Sequence, residues 1–366
     1  MVLKPDIRIV IASLAGGGSE RVAVLLANEW TRCGITVDII TCRPGGVYAS
    51  SLPSSVRTYS PNRRTLLALP AIARYLDRFP RVPALLFGYD IGVGLGAIKT
   101  LGLLNTPLIY REGSSPIKNV ARRGHWAYAA FISRTSGIIA QTTSAARELE
   151  QLGLRRRPLR IIANPLARSE EARFDPCDQT DLSHVVAIGR LSREKGFDRL
   201  IRAWPSIMRA MDNARLTIVG EGADRRDLER LVNDLGLQRR VTFAGFTPDP
   251  REFLTASTLF VMPSYHEGMP NALLEAVAAG CAIMCSGGEA VREILCRLGL
   301  AECYVEDAEW VNGIENRLRA ALQVPSDRRR EATVRILRLT DIGRVARDYF
   351  SFCNDVAGSR AEGITW

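Results

Sequence analysis

The sequence predicts an α/β protein made of two doubly wound parallel-sheet domains. The chain has 366 residues, a length that suits two domains of ordinary size. Short apolar runs alternate with helical patterns in its first half, and the same alternation begins again after a polar stretch. Strands that alternate with helices form a parallel sheet covered on both faces. We therefore expect a domain over residues 1–165, a linker over 166–183 and a second domain over 184–340.

The first domain is defined by apolar runs of strand length. In chain order these predicted strands are IRIVIA, ITVDIIT, ALLFGY, PLIYRE, GIIAQT and LRIIANP. The predicted helices cover 20–32, 66–79, 120–134 and 144–152. The segment that follows is polar, contains Pro176 and has few apolar residues, which is typical of a linker.

The second domain repeats this organisation. Its predicted strands are HVVAIG, RLTIVGEG, RVTFAGF, LFVMPS and CAIMCS. Predicted helices cover 197–211, 223–237 and 251–256, and a basic helical stretch closes the chain over 329–354. Two such domains that face each other place a ligand in a central cleft, between the carboxyl ends of their strands.

Composition excludes several kinds of protein. The eight cysteines contain no C-x-x-C pair and the three histidines lie far apart, so the spacing of a zinc site is absent. The first apolar run is too short for a signal peptide, and charged residues interrupt the apolar stretch over 83–110, so no membrane span is predicted. We therefore expect a cytoplasmic protein with reduced cysteines.

Positive charge is concentrated in the first half of the chain. Residues 1–165 contain 22 Lys and Arg against 9 Asp and Glu, whereas residues 166–366 contain 27 against 30. The first domain is therefore expected to meet an anionic partner. No recognised nucleic-acid-binding module accompanies the charge, so nucleic acid is not the predicted partner.

The segment MPSYHEGMPNALLEAVAAG carries the strongest functional signal. Glu267 and Glu275 bracket a Gly-Met-Pro-Asn turn that opens into a helix, and Pro270 suits the first helical position. Three backbone amides at this helix start are expected to be free for an anion: Asn271, Ala272 and Leu273. A phosphate with a polyol on one side and a ribose on the other fits this arrangement. The alternative is an amphipathic helix with a capped start, but capping explains neither glutamate.

Two cations follow the first strand of the second domain, in the segment GRLSREKGFDRLI. Arg190 leaves the strand end, and Lys195 lies in the loop before the next helix. Cations at the carboxyl end of a parallel strand are well placed to bind a diphosphate. The negative charge of the diphosphate needs neutralising as its bond to the sugar breaks. The alternative is a solvated loop with ordinary surface charge. Against it, this lysine is one of only four in a chain with 49 Lys and Arg.

A glycine-rich loop follows the first strand of the chain, in the segment LAGGGSERV. Gly16 and Gly17 let the backbone approach a phosphate or a sugar closely. The loop lacks the G-x-G-x-x-G spacing of a dinucleotide fingerprint. The charges that follow it, Glu20 and Arg21, are as readily explained as first-turn helix charges.

Taken together, the E-x7-E segment, the GRL…KG…LI segment and the glycine loop resemble the motifs of retaining GT-B glycosyltransferases of family 4, also called glycosyltransferase group 1. The resemblance extends over nearly the whole chain and is densest over 184–290. It implies the GT-B fold, with a final helix over 341–366 that crosses back to the first domain. It also implies hexosyl transfer with retention of configuration, of the kind used in bacterial polysaccharide and lipopolysaccharide assembly.

The resemblance assigns a role to each candidate residue. It implies that Glu267 contacts the hydroxyls of the donor sugar and that Glu275 binds the nucleotide ribose. Arg190 and Lys195 would bind the donor diphosphate in place of a metal, and no Asp-x-Asp pair exists to hold one, so no metal or other cofactor is expected. The remaining donor-binding positions that it implies are Gly16, Gly17, Gly268, Asn271, Ala272, Leu273 and Phe246.

The acceptor side departs from the family pattern. Many members have a histidine after the strand that corresponds to PLIY, where this chain has Arg111 and Glu112. The donor implied is a nucleotide sugar, with a UDP-sugar favoured and a GDP-sugar as the alternative. The acceptor implied is a lipid-linked glycan or lipopolysaccharide precursor.

A basic aromatic stretch over 118–134 leaves peripheral membrane binding open. Its cations and aromatic rings suit an anionic membrane surface on the inner face of the cytoplasmic membrane. An amphipathic helix with its aromatic rings in the core explains the stretch equally well. Two alternatives to transfer also remain at this point: a non-catalytic nucleotide-sugar-binding scaffold, and a nucleotide-sugar epimerase on the same fold.

Overall fold

The computed structural model describes residues 4–116, 128–168, 183–211 and 213–358. Residues 169–182, most of the predicted linker, lie outside the described residues. So do residues 118–127, the first part of the basic aromatic stretch. These two predictions therefore stay predictions.

The chain divides into two compact units. One comprises Met1–Arg168 with Thr340–Trp366, and the other comprises Ser169–Leu339. Each unit is built on one parallel sheet with helices packed on it. The predicted fold class, an α/β protein with two doubly wound parallel sheets, is confirmed.

The first unit contains a seven-stranded sheet. Its strands are β1 Ile7–Ile11, β2 Val37–Thr41, β3 Arg57–Tyr59, β4 Ala84–Phe87, β5 Leu108–Arg111, β6 Gly137–Ala140 and β7 Leu159–Ile161. They pair in parallel in the order β3-β2-β1-β4-β5-β6-β7. Helices described between them are α1 Gly18–Arg32, α2 Thr65–Leu76, α3 Tyr89–Thr100 and α4 Thr143–Leu149. The strand order reverses between β1 and β4.

Side chains of β1 show why this sheet is covered on both faces. Ile7, Ile9 and Ile11 belong to one apolar cluster, which includes residues of α1. Val10 belongs to a second cluster, which includes residues of α2 and α3. Successive side chains of a strand point to opposite faces, so a strand with buried apolar side chains on both faces requires a helical layer on each side.

The sequence did not predict α3, and its packing explains why. Its segment contains three glycines in alternate positions, which weakens any amphipathic pattern. A Cβ atom at Gly92 would crowd the ring of Tyr110, and one at Gly96 would overlap the backbone of Phe131. The helix needs glycine there because its backbone lies against its neighbours.

The second unit contains a five-stranded sheet. Its strands are β8 His184–Ile188, β9 Arg215–Val219, β10 Val241–Gly245, β11 Leu259–Pro263 and β12 Ala282–Ser286. They pair in parallel in the order β10-β9-β8-β11-β12. Described helices are α5 Phe197–Ala210, α6 Arg225–Asp234, α7 Arg251–Thr255, α8 Asn271–Ala278, α9 Glu289–Leu298, α10 Ile314–Leu322 and α11 Ser326–Leu339. Every residue of β11 and β12 is buried, as expected for parallel strands covered on both faces, although β12 lies at the edge of the sheet.

The end of the chain forms two helices where the sequence predicted one basic stretch over 329–354. After α11, the chain re-enters the first unit at Thr340 and forms α12 Ile342–Ala357. The Asp341 carboxylate caps α12 by accepting from the amide of Arg344 at 2.7 Å. α12 packs on α1, where the indole of Trp30 donates to the carbonyl of Ala346 at 2.9 Å.

Among the described residues, no helix combines the length and the apolar character that a membrane span needs.

Candidate functional site

The second unit brings two predicted motifs together at one edge of its sheet. β8 and β11 are neighbours, with β9 and β10 on one side and β12 on the other. The loops that follow β8 and β11 therefore leave the same edge, at the point where the strand order reverses. In doubly wound sheets this is where ligands bind. The first loop carries the predicted cations and the second carries Glu267.

The centre of the site is an ion pair between the two loops. The ammonium Nζ of Lys195 lies 2.6 Å from Oε1 of Glu267, and these residues are 72 positions apart in the chain. The two side chains are 24% and 10% exposed, so the pair is shielded but within reach of a ligand. Oε1 also accepts from the hydroxyl of Ser264 at 2.6 Å. The sequence predicted both charged residues as ligands, but not that they pair.

Backbone contacts hold these loops against each other. The amide of Tyr265 donates to the carbonyl of Glu194 at 2.9 Å, which joins the loop after β11 to the loop after β8. The amide of Glu267 donates to the carbonyl of Gly287, beyond β12, at 2.9 Å. The position of Glu267 is therefore set by the ends of three strands.

Lys195 is positioned by the glycine that follows it. It ends a 3-10 turn, Arg193–Lys195, and Gly196 then adopts φ 64° and ψ 24°, the left-handed region, before α5 begins. A Cβ atom at Gly196 would overlap the carbonyl oxygen of Pro263, at the end of β11. The lysine can approach Glu267 because its neighbour has no side chain.

We expect Gly196→Ala to lower the free energy of unfolding by about 2–5 kcal/mol, since alanine adds left-handed strain and an overlap with Pro263. Gly236 provides a matched control, because its φ of 67° is nearly the same and a Cβ atom there would meet nothing within 4 Å. Gly236→Ala should cost only the strain, about 1–2 kcal/mol. Urea unfolding of both variants measures the difference, and equal losses would contradict this account of Gly196.

Arg199 is a site residue that the sequence analysis missed. Its guanidinium is 9% exposed and donates to the carbonyls of Pro263 at 2.6 Å and Ser264 at 2.7 Å. It also donates to the hydroxyl of Ser286 at 2.6 Å and to the carboxylate of Asp307 at 2.7 Å. Arg199 thus ties β11 to β12 directly behind the ion pair.

A signal for Arg199 was present in the sequence. It occupies a position in α5 that is buried together with the neighbouring apolar residues Phe197, Leu200 and Ile201. Its guanidinium also lies over the ring of Tyr265, 4.2 Å from the ring centroid. An arginine inside an apolar helix face indicates a buried polar partner, here the backbone of the glutamate loop.

Arg190 lies beside the same sheet edge and is exposed. It comes two residues after the end of β8, and its carbonyl accepts from the amide of Ser192 at 2.9 Å. Among the residues that the structure describes, its guanidinium has no carboxylate partner. This cation is therefore available to an anionic ligand at the edge where Lys195 lies.

Helix α8 begins where the sequence predicted, with one correction to the start. Pro270 is the N-cap, with φ −74° and ψ 119°, and not the first helical residue. The amide of Leu273 donates to the carbonyl of Pro270 at 3.1 Å, so the prediction that this amide is free was wrong. Asn271 and Ala272 occupy the first two helical positions and are half-buried, and Gly268 before them is buried.

Glu275 and Phe246 lie on elements of the same unit. Glu275 is half-buried on α8, and its negative charge contributes to a raised pKa of Arg251, although the main cause is the hydrogen bond of Arg251 to Asp249. Phe246 directly follows β10 and its side chain is 40% exposed. Their predicted contacts with a ribose and a base stay predictions.

The glycine loop lies in the first unit, between β1 and α1. Gly16 has φ 122°, in the region that favours glycine, and Gly17 is the extended N-cap of α1. Both are half-buried and follow β1, where the order of the first sheet reverses. The loop therefore lies at the ligand-binding edge of its own sheet.

Arg111 and Glu112, which stand where the family has a histidine, are both buried. Arg111 donates to Oδ1 of Asn164 at 2.5 Å and to the hydroxyl of Tyr349 at 3.1 Å. Glu112 accepts from the phenols of Tyr110 and Tyr128. Burial raises the pKa of Glu112, and these hydrogen bonds oppose it only in part. The contacts favour a structural role for both residues.

In the described ranges, no three His, Cys, Asp or Glu side chains come together in a group that could hold a metal ion. Metal independence was predicted from the sequence and stays a prediction.

Two family models match adjacent parts of the chain. One, described as Glycosyl transferases group 1, matches residues 169–332. The other, described as Glycosyltransferase Family 4, matches residues 16–170. Together they extend from the glycine loop through both cation and glutamate motifs.

Individual relatives agree with these matches. The chain is 28% identical over 292 residues to the lipopolysaccharide core biosynthesis glycosyltransferase LpsE of Rhizobium meliloti, covering 75% of this chain and 76% of that protein. Among solved structures it resembles Anabaena Alr3699/HepE in complex with UDP-glucose, with a TM-score of 0.74, 18% identity and coverage of 96% and 100%. It also resembles WaaG, a glycosyltransferase involved in lipopolysaccharide biosynthesis, with a TM-score of 0.71, 16% identity and the same coverage. At these identities the structures establish a shared fold.

Proposed function

The chain belongs to the group 1, or family 4, glycosyltransferases, and on this premise we propose that it moves a sugar from a nucleotide-sugar donor to a lipid-linked glycan or lipopolysaccharide precursor. The sugar keeps its anomeric configuration in the reaction, and no metal takes part. The donor is a UDP-sugar, with a GDP-sugar as the alternative. The observation that carries the proposal is the Lys195–Glu267 pair at the switch point of the second sheet.

The donor diphosphate is assigned to the cations of this edge. When the bond between the sugar and the diphosphate breaks, negative charge grows on the departing oxygen. Lys195 and the exposed Arg190 supply positive charge there, which lowers the energy of the transition state without a metal. The amides at the start of α8 and its dipole add a further attraction for phosphate oxygens.

Glu267 is assigned to the sugar. Its Oε1 accepts from Lys195 and Ser264, and a carboxylate can accept about four hydrogen bonds in all. Glu267 therefore retains the capacity to accept from sugar hydroxyls while it orients the lysine. A fixed carboxylate selects one orientation of the sugar ring, which places the anomeric carbon against the diphosphate cations.

The ribose and the base are assigned to the flanks of this centre. Glu275 lies one turn into α8, where a carboxylate can accept from the two ribose hydroxyls. Phe246 offers an exposed ring at the end of β10 for the base. The UDP-sugar donor is favoured because Alr3699/HepE, of the same fold, was solved with UDP-glucose.

The acceptor is assigned from the relatives and from charge. LpsE and WaaG are both named for lipopolysaccharide synthesis. The first half of this chain is strongly basic, which suits an anionic acceptor. Retention requires the acceptor oxygen to join the sugar on the face that the diphosphate leaves, so positioning of the two substrates is the main task of the protein. The proposed location is the cytoplasmic side of the membrane.

We expect one class of nucleotide sugar to raise the melting temperature of the purified protein in the presence of a chelator. A ligand at about 100 times its Kd stabilises the folded state by about 2.7 kcal/mol. A thermal-shift screen of UDP-, GDP- and ADP-sugars identifies the donor, and transfer of its labelled sugar to extracted lipid-linked acceptors tests the reaction.

Three outcomes of that experiment discriminate between the functions. Binding followed by transfer supports the proposal. Binding of a donor without transfer or hydrolysis supports the scaffold alternative. Release of a free epimerised sugar in the absence of acceptor supports the epimerase alternative. A requirement for a divalent metal would contradict the role given to Arg190 and Lys195.

A further inference from the structure

The start of helix α2 in the first unit exposes two large apolar side chains to solvent. Leu66 and Leu67 are 73% and 65% exposed, although they begin a helix whose other apolar residues, such as Leu69 and Ile72, are buried. Single exposed leucines are common on protein surfaces, but two adjacent ones at a helix start form a compact apolar tip.

Arginines surround this apolar tip. Arg63 and Arg64 directly precede the helix and are exposed, and Arg74 lies exposed seven residues after Leu67, two turns further along the same stripe. The sequence from Ser60 to Leu76 contains no acidic residue. We call the set Arg63, Arg64, Leu66, Leu67 and Arg74 the α2 leucine surface.

A second exposed pair lies in the same helical layer. Leu101 and Leu103, which follow α3, are 72% and 66% exposed. α3 packs beside α2, and the amide of Asn105 donates to the carboxylate of Asp77, at the end of α2, at 3.0 Å. α2 is about 18 Å long at 1.5 Å per residue. The helical layer formed by α2 and α3 therefore has exposed leucines near both ends of α2.

We propose that the α2 leucine surface docks on an anionic membrane. The leucines enter the boundary between headgroups and acyl chains, and the arginines contact anionic headgroups, as in helices that lie in a membrane interface. A second copy of this chain is a poor occupant, because a two-fold contact would bring the same arginines together. The surface is basic, which fits the charge of such a membrane.

The inference differs from the membrane contact predicted from the sequence. That prediction placed docking on residues 118–134, of which 118–127 lie outside the described residues. The α2 leucine surface is independent of that stretch. Membrane docking rests on the proposed function only for its biological role, since a lipid-linked acceptor resides at a membrane. Vesicle binding itself needs neither donor nor acceptor.

Vesicle flotation of the full-length protein tests the proposal. The wild type should float with vesicles of phosphatidylcholine and phosphatidylglycerol in equal parts, and much less with phosphatidylcholine alone. The double variant Leu66→Asp, Leu67→Asp should lower the partition coefficient by about tenfold or more, because it removes both insertion and favourable charge. Arg63→Gln, Arg64→Gln should weaken binding only to the anionic vesicles, and less so at high salt.

A matched control is Val311→Asp, which places the same acidic residue at an apolar side chain of the second unit that is 81% exposed. It should float like the wild type. Failure of the wild type to float, or full binding by the double leucine variant, would overturn the proposal. So would a wild-type dimer that the leucine variant loses in light scattering. The leucine variant should retain wild-type melting and full transfer to a water-soluble acceptor, so a failure here leaves the proposed reaction untouched.

Discussion

Lys195→Met should reduce sugar transfer by about 10²–10³-fold while the protein stays folded. The ammonium of Lys195 lies 2.6 Å from Glu267, so its charge is held at the edge where the diphosphate is proposed to leave. Methionine keeps most of the side-chain length and removes the charge. Steady-state transfer with the identified donor measures the loss, which should fall mainly on kcat because leaving-group charge develops in the transition state.

The neighbouring Arg193 supplies the control for this experiment. It lies in the same 3-10 turn and is exposed, so Arg193→Met removes one positive charge from the same loop without touching the ion pair. It should leave kcat nearly unchanged. Equal losses of kcat in the two variants would indicate that Lys195 contributes only to the general surface charge of the loop. Full activity of Lys195→Met would contradict the assignment of Lys195 to the donor diphosphate.

Arg199→Met should lower the free energy of unfolding by about 3–5 kcal/mol, because several hydrogen bonds from a charged donor to buried acceptors are lost, each worth about 1.5–3 kcal/mol. The guanidinium donates to the carbonyls of Pro263 and Ser264 and to the hydroxyl of Ser286, and without it each of these buried acceptors loses a charged donor. Urea unfolding measures the loss. Donor affinity should fall as well, because the hydroxyl of Ser264 holds Glu267.

A variant of Asp307 distinguishes two sources of the stabilisation by Arg199: its buried hydrogen bonds and its ion pair. The Asp307 carboxylate accepts from Arg199 at 2.7 Å but is 69% exposed. Asp307→Asn should therefore change stability by no more than about 1 kcal/mol, as expected for an exposed ion pair. A loss as large as that of Arg199→Met would assign the stabilisation to the salt bridge and contradict the account given for the backbone acceptors.

Some elements could be predicted from local pattern and others could not. β1, β8 and β11 are mostly apolar runs, with Arg8 inside β1 and His184 at the start of β8, and their strand character follows from the sequence. β3 has only three residues and lies at the sheet edge, so it carries no apolar run. Helix α3 was missed for a different reason, since its glycines serve close packing against Tyr110 and Phe131 and conceal the helical period.

The residues of the candidate site also divide into those predictable from local sequence and those that are not. The residue types and order of Arg190, Lys195, Glu267 and Glu275 were sufficient to identify them as candidates, because cations, carboxylates and a helix start suit a nucleotide sugar. The contacts of Arg199 were not predictable in this way. Two of its four acceptors are backbone carbonyls of residues more than 60 positions away, and any residue type supplies a carbonyl.

The sequence by itself determined the two doubly wound sheets, since most of their strands and helices leave a local hydrophobic period in the chain. It also indicated Arg190, Lys195, Glu267 and Glu275 as candidate site residues, through their residue types and their order in the chain. Only the tertiary structure decided that Lys195 and Glu267 form a pair, that Gly196 makes room for it and that Arg199 supports it. These facts depend on the adjacency of β8 and β11, a pairing between segments about 70 residues apart that no local pattern records.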